Sequence, residues 1–134
     1  MPAGADHFAA GIAVNSTGHA HPKVAEAIAA QAQRFIHAQV NVFKHDLLEP
    51  LAAKLAELAP GRIDTFFFAN SGAESVEAAI KFARAATGRP GILHCAHSFH
   101  GLTYGSLSMN GDEIFKKGFG PLLPNAREVP FDDL

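Results

Sequence analysis

The chain has 134 residues, 48% of them hydrophobic, a formal net charge of -2 and a single cysteine, Cys95. This suffices for about one domain with its own core. Near-neutral, scattered charge argues against nucleic acid or an acidic membrane surface, one cysteine excludes an internal disulfide and suits a reducing compartment, and no apolar stretch reaches the roughly 18 residues of a membrane span. The first ten residues lack the basic region and long apolar stretch of a secretory signal, so the reading is a cytoplasmic protein.

In chain order, the apolar run Gly11-Ile12-Ala13-Val14 ends at the turn-forming Asn15-Ser16-Thr17-Gly18. Pro22 is placed to open a helix, and Val24, Ile28, Ala32, Phe35 and Ile36 recur at helical spacing, which predicts an amphipathic helix over 22–37. A second helix is expected over 46–59, with Leu48, Leu51, Leu55 and Leu58 on its apolar face, Asp46 and Glu49 as a possible capping box and Pro60-Gly61 as its stop. Thr65-Phe66-Phe67-Phe68-Ala69 is continuously apolar, as in a strand covered on both faces. A helix over 73–86 follows, and Gly91 to Ala96 is read as another buried strand. Strand, helix, strand in this order predicts a parallel sheet with a right-handed crossover, hence α/β architecture. The stretch from Gly118 onward, with Pro121, Pro124 and Pro130, is read as a long connection.

The junction Asn70-Ser71-Gly72-Ala73 lies between a predicted strand and a helix. Helix starts expose unpaired N–H groups, and with the helix dipole of roughly +0.5 charge these suit a phosphate. Ser71 and Glu74 also match a capping box, which needs no ligand, and on local pattern alone capping is the commoner outcome. The two are compatible, since a capped helix retains other donors. His94, Cys95, His97 and His100 crowd together, but strand alternation sends His94 and Cys95 to opposite faces, so no metal site is expected. Glu74 and Glu77, three apart, are read as an ordinary solvated helix face.

The run Phe67-Phe68-Ala69-Asn70-Ser71-Gly72-Ala73-Glu74-Ser75-Val76-Glu77-Ala78-Ala79-Ile80-Lys81 resembles, without gaps, the segment that opens the cofactor site in class III pyridoxal-phosphate (PLP) aminotransferases. Phe99-His100-Gly101, with Thr103 and Gly105-Ser106-Leu107-Ser108, resembles the next landmark of that family, and family-like motifs cover about residues 11–131. Leu102 departs from the pattern, where a basic residue is common.

The resemblance implies a fold-type I PLP-dependent transferase, α/β with a mostly parallel sheet in its large domain, present only in part. Residues 1–45 would belong to the small domain and connecting region, and 46–134 to the first part of the PLP-binding domain. It further implies that Ser71, Gly72 and Ala73 donate to the PLP phosphate and that Phe99 lies against the pyridine ring, an interaction worth about 0.5–1.5 kcal/mol beyond burial, with His100 beside it. The expected reaction moves an amino group from an amine or amino acid to a 2-oxo acid, in a homodimer. No catalytic residue is assigned: the family's Schiff-base lysine lies beyond the equivalent of Leu134, and none of Lys23, Lys44, Lys54, Lys81, Lys116 and Lys117 follows its motif. The expectation is therefore a fragment, inactive and poorly stable alone. The alternatives are a PLP-dependent aminomutase, racemase or decarboxylase of the same family, or a non-catalytic interaction module should the chain truly end at Leu134.

Overall fold

The structure is a computed structural model that describes residues 10–132. The segment read for a secretory signal lies almost wholly outside them. The chain divides into two compact units, Met1–Lys54 and Leu55–Leu134.

In the first unit, residues 10–13 form a left-handed turn with positive φ at Ala10, Gly11, Ile12 and Ala13. Helix α1 spans Pro22–Arg34, with proline in its first turn as expected. Its apolar face carries no buried residue: Val24 and Ile28 are both exposed. Arg34 pairs with Asp46 at 2.9 Å, and the Phe35 and His45 rings meet at 5.9 Å. The next helix begins at Leu48, one residue past the start a cap at Asp46 would give, and Asp46 Oδ2 accepts from the Arg34 guanidinium instead. Helix α2 spans Leu48–Leu58 and crosses the boundary between the units.

The second unit contains helix α3, Gly72–Thr87, and strand β1, Ile92–Cys95. Gly88 ends α3 in the left-handed conformation with φ 66°, and its N–H bonds Arg84 O. Short helix α4, Tyr104–Ser108, a 3-10 turn at Glu113–Phe115 and strand β2, Ala126–Val129, complete the unit. β1 and β2 pair in parallel, Ile92 opposite Ala126 and Cys95 opposite Val129. The Arg84 guanidinium donates to Pro90 O at 2.8 Å and to Pro124 O at 3.1 Å, tying the end of α3 to the approaches of both strands.

Three expectations are corrected. Residues 65–69 form no strand: a strand exists only as half of a ladder, and these residues pair with neither β1 nor β2, which pair with each other. Phe67 and Phe68 are consequently exposed, and Phe67 packs edge-on to Phe82 of α3 at 5.4 Å. β1 itself buries only His94, while Leu93 is 68% exposed. Finally, the proline-bearing stretch read as a connection contains β2, bounded by Pro124 and Pro130. The α/β class holds, but the parallel pair is made by β1 and β2 and not by residues 65–69 and β1. The core of this unit is Ala78 and Ile80 of α3 with Leu107 and Met109.

Candidate functional site

The site is built from the start of α3 outward. Ser71 is the N-cap: its backbone is extended (φ -154°, ψ 162°) and its Oγ accepts the Glu74 N–H at 3.2 Å. Glu74 reaches back one residue further than a capping box requires, accepting from Asn70 N–H at 2.7 Å. This arrangement consumes the Glu74 donor. Among the described residues nothing accepts from the N–H of Gly72 or of Ala73. The space where a Cβ of Gly72 would stand is open, with no heavy atom within 4 Å. Two free donors, an open approach and the positive end of a 16-residue helix suit an anion.

The aromatic turn is set against the same helix start. Gly101 has φ +121°, and a Cβ added there would lie 2.6 Å from Ala73 Cβ and 2.8 Å from Ser106 Oγ. Only glycine allows this approach. Ala73 is half-buried by it. Phe99 is 59% exposed and meets Phe115 edge-on at 5.2 Å. His100 is half-buried, and its N–H donates to Asn110 Oδ1 at 2.7 Å, while Asn110 Nδ2 donates to Gly101 O at 3.0 Å. Asn110 is fully buried. Gly111 N–H bonds Ser98 O at 2.8 Å, closing the loop whose first residues form the turn.

Two residues that sequence reasoning passed over hold this arrangement. Asn110 is one. The other is Glu77, whose Oε1 accepts from Thr103 Oγ1 at 2.6 Å, Gly105 N–H at 2.8 Å and Ser106 N–H at 3.1 Å. Burial raises its carboxyl pKa, but the hydrogen bonds from Thr103, Ser106 and Gly105 and the charge of Lys81 together hold it below its ordinary 4.5. The solvated-face reading of Glu77 is thereby corrected; the available signal was Gly105, where a Cβ would run into this carboxylate.

An open cavity of about 550 Å³ lies among His94, Ser108, Glu113, Lys116 and Glu128. It is lined by none of Ser71, Gly72, Ala73, Phe99 and His100. His94 Nδ1 is buried there and finds no hydrogen-bond partner among the described residues. Among the described residues no group of three His, Cys, Asp or Glu side chains is placed to hold a metal.

The family described as aminotransferase class-III matches residues 6–134. The chain belongs to that family. Acetylornithine aminotransferase of Halalkalibacterium halodurans is 46% identical over 127 residues, 95% of this chain and 32% of the relative. The chain thus spans about a third of the length of the curated relatives it matches. Among solved structures, the ornithine aminotransferase of Toxoplasma gondii superposes with TM-score 0.80 at 28% identity, over 94% of this chain and 31% of that one. Taurine:2-oxoglutarate aminotransferase of Bifidobacterium kashiwanohense, solved in complex with PLP and glutamate, gives 0.74 at 34% identity, over 84% and 26%. These solved aminotransferases carry the fold assignment: the parallel pair and its helices have part of the fold of a fold-type I transferase.

Proposed function

We propose that the protein is a PLP-dependent transaminase, moving an amino group from an amine or amino acid to a 2-oxo acid, and that this chain supplies the phosphate end and one ring-facing wall of its cofactor site. The observation that carries the reading is the approach of Gly101 to Ala73, which sets the Phe99–Gly101 turn beside the free donors of α3. Gly72 and Ala73 N–H, with Ser71 at the cap, are the phosphate ligands. Phe99 offers an exposed aromatic surface for the ring, and His100 lies next to it. Bound there, PLP supplies an aldehyde that takes up the amino group and a ring that withdraws electrons.

What this chain contributes is binding and orientation. The helix start fixes the dianionic end, and the turn, held by Asn110, limits how the ring can lie. Residues 1–45 are assigned to the small domain and its connection, and 46–134 to the cofactor-binding domain. A homodimer in the cytoplasm is part of the same reading. Among the described residues no helix is long and apolar enough to cross a membrane.

The name of the 46% identical relative makes N-acetylornithine the first amino donor to test. The protein expressed from its complete coding sequence is incubated with PLP, N-acetylornithine and 2-oxoglutarate, with and without the oxo acid. Glutamate formed only when the acceptor is present supports transamination. Consumption of the donor without any acceptor points to a decarboxylase or another family chemistry instead.

A further inference from the structure

We infer that Glu77 is a positioning residue for the cofactor site: its carboxylate latches the Thr103–Ser106 segment, and with it the Phe99–Gly101 turn, onto the helix that presents the phosphate donors. The inference rests on the PLP reading above and adds a residue that touches neither phosphate nor ring.

The geometry is economical in atoms. Glu77 lies on α3 about 9 Å along the axis from Ser71, by helical rise. One oxygen, Oε1, collects the Thr103 hydroxyl and two consecutive backbone N–H groups of α4. Those bonds join residues 26 to 29 apart in sequence, so they fix tertiary placement and not local helix geometry. Thr103 follows Gly101 by two residues, which leaves the turn little slack between the latch and the Ala73 contact. Ser106 completes the set: its Oγ accepts from Thr103 N–H at 3.1 Å, and it also stands 2.8 Å from where a Gly101 Cβ would be. Latch and turn therefore share one side chain. A carboxylate is suited to the task because charge-assisted bonds are roughly twice as strong as neutral ones.

The test uses Glu77→Gln, which keeps the shape and removes the charge, in the protein expressed from its complete coding sequence. Two readouts are taken at a temperature where far-UV circular dichroism shows both proteins folded. Hydrogen exchange of residues 99–106 is expected to rise in the variant while the Ala78–Arg84 amides keep their protection. PLP affinity is expected to fall about tenfold, equal to about 1.4 kcal/mol, with weaker induced circular dichroism of the bound cofactor. Thr103→Val, which deletes only the hydroxyl donor, is expected to shift both readouts the same way by a smaller factor, and it stands in should Glu77→Gln not fold. Unchanged exchange over 99–106 overturns the latch. Faster exchange with unchanged PLP affinity and dichroism overturns its role in the cofactor site. A wild-type protein that takes up no PLP overturns the functional reading itself, and the cofactor role of Glu77 with it.

Discussion

Gly101 and Ala73, 28 positions apart in sequence, stand so close that one methyl group more would put two Cβ atoms 2.6 Å apart. This contact joins the two motifs by which the sequence resembles its family. It brings them together at the start of α3.

Gly101→Ala therefore meets two obstacles, the occupied space and a φ of +121° that L-residues rarely adopt. The expected loss of stability is about 2–4 kcal/mol, read from urea unfolding. PLP affinity is expected to fall more than in Ser106→Ala, which removes a neighbour without pushing the turn away.

Ser71 caps α3, and on the proposed reading it also borders the PLP phosphate; substitution separates the two. Ser71→Ala removes the acceptor for Glu74 N–H and is expected to cost about 1 kcal/mol. Ser71→Asp preserves the cap, so its thermal midpoint stays near that of wild type. Its carboxylate would face the proposed phosphate position, however, and PLP affinity is expected to fall at least about tenfold. Equal PLP affinity in Ser71→Asp and wild type would place the phosphate elsewhere.

Asn110 is fully buried and serves one donor and one acceptor of the turn. Asn110→Ala strands both, at an expected cost of about 2–4 kcal/mol. Asn110→Asp keeps the acceptor for His100 N–H but places an anion against Gly101 O, so it does not rescue. Thermal denaturation of the two variants checks this.

The Glu77 carboxyl is held below its ordinary 4.5, so its contribution is fully present above that pH and is lost as pH falls through the lower folded value. Wild type is expected to lose stability on acidification below about 4.5 more steeply than Glu77→Gln. Denaturant midpoints measured across that window give the comparison. Asp46, also lowered by its hydrogen bond and charge pairing with Arg34, is solvent-exposed, and Asp46→Asn is expected to leave the midpoint nearly unchanged.

Helical periodicity made three long helices legible, and Ser71 with Glu74 marked the start of α3. Strand pairing was less so. An apolar run such as 65–69 predicts a strand only if a neighbour presents free backbone groups, and that information is not local. β2 was hidden for the opposite reason: Ala126-Arg127-Glu128-Val129 is short and half polar, and flanking prolines made it look like a loop. Glu77 and Asn110 were missed because their partners are distant. Glu77 meets Thr103 26 residues away, and Asn110 bonds back nine and ten residues within a loop that has no periodicity to read.

On the proposed reading, the start of α3 and the Phe99–Gly101 turn together hold PLP. This is tested most directly by titrating PLP into protein labelled with 15N-glycine and following the individual amides. The Gly72 and Gly101 signals are expected to shift with one common saturation curve, while Gly88 at the far end of α3 and Gly118 stay in place. Shifts at Gly88 or Gly118 with Gly72 and Gly101 unmoved would contradict it.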